Sequence, residues 1–134
     1  MNHLLRIVLV EDNAADANLM KEYIEMTGVD AQIINMRNGR EAIDFLKLAK
    51  NEDEWPDLVL LDLNLPIFNG HEVLQTIRGE DCKMRVFIYS GSRLPEDIMR
   101  AERNGANGYI FKPTSGAEIE SVVDKLRDIL NSIY

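Results

Sequence analysis

The chain has 134 residues, the size of one ordinary domain, of which 46% are hydrophobic and 28% are charged. Its net charge of −8 argues against binding to nucleic acid or to an anionic membrane, since both need positive potential. The single cysteine, Cys82, has no partner for a disulfide or a zinc site, and no apolar run is long enough to span a membrane, so we expect a cytoplasmic protein.

The chain opens with a strand and a helix. Residues 4–10 are an apolar run rich in branched side chains, which predicts a buried strand. Two carboxylates, Glu11 and Asp12, follow this strand directly. Asn13 is a good helix cap, and apolar residues then recur at helical spacing until Gly28 ends the pattern.

A second strand and a second helix come next. Residues 31–36 predict a short strand, and Asn38-Gly39 marks the turn into a helix with one apolar stripe. The polar stretch of residues 50–56 contains an acidic cluster, and we expect it to form a loop.

Residues 57–66 are the centre of the chain. Four consecutive large aliphatic residues, bounded by Pro56 and Pro66, predict a strand that is buried on both faces. This strand ends on Asp62. Because an open parallel sheet places its chemistry at the carboxyl ends of its strands, Asp62 lies where a reacting group is expected.

The remaining chain predicts two strands and three helices. A turn at Asn69 leads into the third helix. Residues 84–89 predict a fourth strand that ends at Ser90, and residues 109–111 predict a fifth that ends at Lys112. The fourth helix begins near Pro95, and the fifth has the clearest helical pattern, from Ile119 to Ile133.

Five strands alternating with five helices predict an α/β fold, a flavodoxin-like five-stranded parallel sheet in the order 2-1-3-4-5 with helices on both faces. In this order Glu11, Asp12 and Asp62 converge. Three carboxylates repel one another, and oxygen ligands of this kind favour magnesium. Lys112 and Ser90, at neighbouring strand ends, can bind phosphoryl oxygens, so the set suits a carboxylate that accepts a phosphoryl group.

Four motifs together resemble the receiver domain of two-component response regulators. They are Glu11-Asp12-Asn13; Leu-Leu-Asp-Leu-Asn-Leu-Pro over residues 60–66 with Asn69-Gly70; Ser90-Gly91-Ser92; and the run over residues 105–113 that ends in Lys112-Pro113. The resemblance covers essentially the whole chain. It implies that residues 1–134 are a single receiver (response regulatory) domain with no effector domain.

The resemblance implies a phosphoacceptor signalling domain rather than an enzyme. Asp62 would take a phosphoryl group from a sensor histidine kinase or a phosphotransfer protein, with Lys112 neutralising charge. Mg²⁺ would be held by Asp12, Asp62 and the backbone carbonyl of Asn64, and Glu11 would act through the waters of the metal.

The resemblance also implies a conformational switch. Phosphorylation would draw the Ser90 hydroxyl inward and let the Tyr109 ring turn from exposed to buried. This would remodel the face of the fourth helix, fifth strand and fifth helix, and so change binding to a downstream partner or dimerisation. The Lys112-Pro113 peptide bond would be cis, which costs little before proline.

The opening over residues 11–17, the Asp-Leu-Asn-Leu-Pro core over residues 62–66 and the long acidic loop before Trp55 further resemble the stand-alone regulators that serve phytochrome-type kinases. Members of that subgroup tend to dimerise through the face between the fourth and fifth helices, where Met99 and Arg103 are candidates. Two features depart from the common family pattern. The acidic pair is Glu-Asp rather than Asp-Asp. Gly91 is smaller than the alanine often found there, which would either leave the acyl phosphate more open to water or loosen the switch.

Other classes of protein fit less well. A phosphatase of the haloacid dehalogenase type needs a second Asp two residues after the nucleophile, and this chain has Asn64 there. A flavin-binding domain is disfavoured by the acidic loop after the first strand. The remaining alternative is a phosphorylation-independent interaction module with the receiver fold, against which the complete residue set argues. His3 and His71 are expected at the surface, and Cys82 is expected to be incidental.

Overall fold

Five parallel strands form the centre of the structure, a computed structural model that describes residues 4–51, 55–80 and 83–133. The strands are β1 (Leu5–Val10), β2 (Ala31–Met36), β3 (Leu58–Leu61), β4 (Val86–Ser90) and β5 (Gly108–Phe111). Their order in the sheet is β2-β1-β3-β4-β5, as predicted. His3, Cys82 and the middle of the acidic loop, residues 52–54, lie outside the described residues.

Five helices connect and cover the strands. They are α1 (Ala14–Met26), α2 (Gly39–Asn51), α3 (Gly70–Gly79), α4 (Pro95–Arg103) and α5 (Gly116–Ile133). Lys50 and Asn51, which were predicted to lie in a loop, form the last turn of α2 instead. The helix continues because Ala49 extends its buried stripe, and Lys50 pairs with Glu80 at the end of α3 at 2.6 Å.

The sheet separates two apolar layers. Leu58 and Leu60 point to a cluster that also holds the buried faces of α1 and α5. Val59 and Leu61 point to the other cluster, which contains residues of α2, α3 and α4. All four β3 residues are fully buried, so the prediction of a strand covered on both faces is confirmed.

Side-chain caps fix where two helices begin beside the carboxyl edge of the sheet. The Asn13 side chain accepts a hydrogen bond from the backbone N–H of Asp16, as its predicted capping role requires. Asn69 and Glu72 form a capping box at the start of α3. Such caps contribute about 1 kcal/mol each to helix stability.

The loop between β3 and α3 folds back tightly on the strand. The Gly70 N–H donates to the Leu63 carbonyl at 2.9 Å, and a Cβ on Gly70 would lie 2.2 Å from the Asp62 carbonyl oxygen. Only glycine fits this approach. Within the same loop Ile67 has a φ of 72°, a conformation that is strained for a β-branched residue, and its side chain is exposed.

His71 is buried, with 4% of its surface exposed, so its predicted surface position was wrong. It lies one helical turn before Leu74 on the buried face of α3, where α4 covers it. Its Nε2 is 3.6 Å from Asp97 Oδ1 of α4. Burial, together with the positive charge of Arg100, lowers the pKa of His71, although Asp97 opposes the shift.

None of the helices within residues 4–51, 55–80 and 83–133 combines the length and the apolar character that crossing a bilayer requires.

Candidate functional site

Three carboxylates meet at the carboxyl edge of the sheet because β1 and β3 are paired in register. Val10 lies opposite Leu61, and the Asp62 N–H donates to the Val10 carbonyl at 3.0 Å. Glu11, Asp12 and Asp62 therefore each present an oxygen within 4.8 Å of the others. The predicted convergence of these three side chains is what the structure shows.

The three carboxylates differ in their exposure to water. Glu11 and Asp62 are 1% and 4% exposed, whereas Asp12 is exposed. Burial raises the pKa of Glu11 to about 7, and the charge of Asp62 adds to the shift, although the Lys112 ammonium opposes it. A buried carboxylate whose ionisation is this costly favours a bound cation.

Lys112 places one ammonium group among three carboxylates. Its Nζ is 2.6 Å from Glu11 Oε1, 2.9 Å from Asp16 Oδ2 and 3.1 Å from Asp62 Oδ2. Its backbone N–H donates to the Ser90 carbonyl at 2.9 Å, which holds the residue at the end of β5. Burial alone would lower the pKa of Lys112, but the three anionic partners outweigh it and raise this pKa, so the ammonium stays charged.

Asp16 was not predicted from the sequence as part of this site. It lies in the first turn of α1, four residues after Asp12, and its contact with Lys112 spans 96 positions of the chain. The only signal in the sequence is that Asp16 lies four residues after Asp12, a candidate metal ligand. That spacing is equally typical of an ordinary acidic residue at a helix N-terminus, so it does not identify Asp16 as part of the site.

The segment that carries Asp62 is fixed by backbone contacts. The Asn64 N–H donates to Asp62 Oδ1 at 3.3 Å, and Asn64 is exposed beside the acidic group. Gly70 packs directly on the Asp62 backbone. The position of the carboxylate is therefore set by both the strand before it and the helix after it.

A hydrogen-bonded path leads from Ser90 toward β5. Ser90 is fully buried at the end of β4, and its Oγ accepts from the Ser92 N–H at 3.1 Å. The Tyr109 hydroxyl donates to the Ser92 carbonyl at 2.8 Å, and the Ser92 hydroxyl donates to Asp97 Oδ2 at 2.5 Å. Both residues predicted to act in the switch thus contact the same loop, and Tyr109 is half-buried.

The Lys112-Pro113 peptide bond is trans, so the expectation of a cis bond was wrong. The trans form is the intrinsically favoured isomer before proline.

The face formed by α4, β5 and α5 presents exposed apolar and charged side chains. Met99, Arg103 and Phe111 are exposed there. The Arg93 guanidinium lies 4.8 Å from the centre of the Phe111 ring and pairs with Glu118 at 2.9 Å.

The acidic group suits a hard divalent cation. Its donors are carboxylate oxygens, and among the described residues no histidine or cysteine joins them. Mg²⁺ prefers such ligands and is commonly bound by one or two carboxylates, with water completing its shell. The residues present therefore fit the predicted magnesium site.

A family model described as the response regulator receiver domain matches residues 7–124. Among curated proteins, the chain is 36% identical over 126 residues to the probable methanogenesis regulatory protein FilR2 of Methanothrix harundinacea. The aligned region covers 91% of this chain and 81% of FilR2. Two other curated relatives, the nitrate/nitrite response regulator protein NarL of Escherichia coli and the cell cycle response regulator CtrA of Brucella ovis, are longer, and the chain spans 47% and 44% of their length.

Two solved structures resemble the chain over nearly its whole length. The phosphorylated cyanobacterial phytochrome response regulator RcpA superposes with a TM-score of 0.80 at 32% identity, covering 95% of this chain and 91% of RcpA. The Mn²⁺-bound form of the response regulator Rcp1 gives a TM-score of 0.77 at 31% identity, covering 93% of this chain and 91% of Rcp1.

Proposed function

The chain belongs to the response regulator receiver domain family, and from this we propose that Asp62 accepts a phosphoryl group from a sensor histidine kinase in a magnesium-dependent reaction. The observation that carries the proposal is the contact of 3.1 Å between Lys112 Nζ and Asp62 Oδ2, beside an acidic group suited to a cation. The protein would act as a signalling domain rather than as an enzyme, and in the cytoplasm.

The transfer needs a nucleophile and neutralisation of charge. An Asp62 carboxylate oxygen forms a bond to phosphorus while the bond from phosphorus to the histidine nitrogen of the donor breaks, and its electron pair leaves with the imidazole. The Lys112 ammonium binds a phosphoryl oxygen as a point charge. Mg²⁺, when held by Asp12, Asp62 and the Asn64 carbonyl, with Glu11 acting through its waters, supplies further neutralisation of the phosphoryl oxygens.

The loop after β4 would report the phosphorylated state to the surface. The Ser90 hydroxyl can donate to a phosphoryl oxygen, and moving toward that oxygen would draw its Oγ away from the Ser92 N–H. Ser92 also binds Tyr109, so a shift of the loop would free the Tyr109 ring to turn. The face of α4, β5 and α5 would change as a result.

The partners would include a kinase and a recipient of the signal. RcpA is a phytochrome response regulator, so a phytochrome-type kinase is the donor that we propose, directly or through a phosphotransfer protein. Output would pass to a downstream protein or to a second copy of this chain through the face that carries Met99 and Arg103.

The test is to incubate the protein with acetyl phosphate, with and without Mg²⁺, and to measure its intact mass. We expect a gain of one phosphoryl group that requires both Mg²⁺ and Asp62, and that Asp62→Asn abolishes. Asp57→Asn, which changes a carboxylate just before the opposite end of the same strand, should still be labelled.

Size-exclusion chromatography with and without beryllofluoride then tests the output. A shift in elution that is absent in Asp62→Asn supports self-association as the readout. A wild-type protein that gains no mass and does not respond to beryllofluoride would refute the proposal in favour of a phosphorylation-independent interaction module.

A further inference from the structure

We propose that Asp16 restrains phosphorylation of Asp62 by holding the Lys112 ammonium in an ion pair, so that it competes with the incoming phosphoryl group for this cation. The inference rests on the proposed function and adds a positioning residue to it. In the prediction from sequence, Asp62, Lys112 and the acidic pair formed the site, and Asp16 had no role.

The contact between the Asp16 carboxylate and the Lys112 ammonium is direct, and the position of Asp16 is well fixed. Asp16 Oδ2 lies 2.9 Å from Lys112 Nζ with hydrogen-bond geometry. The backbone N–H of Asp16 donates to Asn13 Oδ1 at 2.9 Å, so the residue is anchored in the first turn of α1. Asp16 and Asp62 therefore contact the same nitrogen atom from two different elements.

Three carboxylates surround the Lys112 ammonium: Asp16 and Asp62 accept hydrogen bonds from it, and Glu11 forms an ion pair with it. An ammonium group has three N–H donors, and Glu11, Asp16 and Asp62 surround it. A phosphoryl oxygen that approaches Asp62 must reach the same ammonium, so it competes with these carboxylates for it. The arrangement in the unphosphorylated protein thus opposes the first contact with the phosphoryl group.

Asp16 is the partner that can release the ammonium most easily. Its side chain is 35% exposed, whereas those of Glu11 and Asp62 are 1% and 6% exposed. Water can solvate the freed Asp16 carboxylate, but a freed Glu11 carboxylate would stay buried without a counter-ion. Asp16 therefore sets how readily Lys112 turns toward the donor.

The negative charge of Asp16 should also slow the phosphorylation of Asp62. The site already holds Glu11, Asp12 and Asp62, and acetyl phosphate brings further negative charge. Asp16 is the third carboxylate on the Lys112 ammonium and the fourth in the site, so its charge weakens the pull of Lys112 on the phosphoryl oxygens and repels the donor. Removing this charge should raise the rate at which Asp62 is phosphorylated.

The reaction used for the test is balanced without any further reactant. An Asp62 oxygen forms the new bond to phosphorus, the bond from phosphorus to the acetate oxygen breaks, and acetate leaves with the electron pair. No oxidation or net proton transfer is involved, so the measured rate reports on the electrostatics of the site.

The experiment compares the rate of labelling by acetyl phosphate, at saturating Mg²⁺, in wild type, Asp16→Asn and Asp16→Glu. Partly exposed ion pairs are worth up to about 1 kcal/mol, so we expect Asp16→Asn to be labelled about two- to fivefold faster at low ionic strength. The difference should shrink as salt is added, because salt screens exposed charges. Asp16→Glu restores the charge and should remain close to wild type.

Glu25→Gln is the matched control. It removes one negative charge from an exposed position of the same helix, and it should leave the rate unchanged. A slower or unchanged rate in Asp16→Asn, or an acceleration that salt does not reduce, would overturn the inference. Absence of labelling in wild type would instead refute the proposed function, so the two failures can be told apart.

Discussion

Lys112 Nζ lies 3.1 Å from Asp62 Oδ2, although β5 and β3, which the two residues follow, are separated by β4 in the sheet. The long lysine side chain bridges this gap across the end of β4. Because both groups are largely shielded from water, removing either one would leave the other charge buried without its counter-ion.

Replacing Lys112 should destabilise the protein. In Lys112→Met, the buried Glu11 and Asp62 carboxylates lose their counter-charge, and we expect the free energy of unfolding to fall by about 2–3 kcal/mol without metal. Urea denaturation at slightly alkaline pH measures this change in the free energy of unfolding. Saturating Mg²⁺ should recover part of the loss, since a bound cation replaces the missing charge. Lys21→Met, at an exposed position of α1, is the control, and equal effects in both variants would contradict the expectation.

Gly70→Ala should disturb the segment that positions Asp62. The new Cβ would lie 2.2 Å from the Asp62 carbonyl oxygen, so the backbone must move. We expect a loss of about 1–3 kcal/mol in unfolding free energy and slower labelling by acetyl phosphate. Gly79→Ala in the same helix meets no atom within 4 Å and should be neutral or stabilising, because alanine favours helix. Similar behaviour of the two variants in thermal melts would argue against this account.

His71 should make the protein less stable in mild acid. Its pKa is lowered from 6.5 by burial, so below that pH the unfolded chain binds a proton that the folded chain does not. Stability from this group is complete above about pH 6.5 and is lost as the pH falls toward the lower folded pKa, by at most about 1.4 kcal/mol per pH unit.

The measurement is the free energy of unfolding of wild type and His71→Gln between about pH 5 and pH 7. The raised pKa of Glu11 acts in the opposite direction, since the folded state then binds the extra proton. This contribution is common to both proteins, so the difference in their pH dependence isolates His71. If the unfolding free energies of the two proteins changed with pH in parallel, His71 would bind its proton equally well in the folded and the unfolded chain, which would contradict the prediction.

Enlarging Gly91 should slow the loss of the phosphoryl group. A Cβ at this position meets no atom within 4 Å, so a side chain can be added without a clash. A larger side chain next to Ser90 should restrict the access of water to the acyl phosphate. We expect the decay rate to fall from wild type to Gly91→Ala and again to Gly91→Thr, measured by intact mass after removal of the donor. An unchanged rate in Gly91→Thr would rule this out.

The sequence predicted the sheet and its central site well because both depend on local patterns. The aliphatic run of β3 and its bounding prolines identified Asp62, and the strand order brought Glu11 and Asp12 beside it. These inferences need only periodicity and the rule that parallel strands end at one edge.

The residues that were missed depend on contacts between distant elements. Asp16 joins the site because it contacts Lys112 at the end of β5, and the buried His71 lies beside Asp97 of α4. A pattern read along one helix does not specify which neighbour covers it. The same limit explains why the last turn of α2, where Lys50 pairs with Glu80 just after α3, was predicted as a loop.

The apolar layer to which both α1 and α5 contribute has a consequence for folding during synthesis of the chain. Buried residues of α5, including Val123 and Leu126, complete the same cluster as Leu9 and Leu60. β1, α1 and β3 are synthesised before α5, so the part of this face that α5 covers has no cover until α5 has been made. We therefore expect the nascent chain to expose the apolar surface beneath α5 until this helix emerges, and this side of the fold to close late.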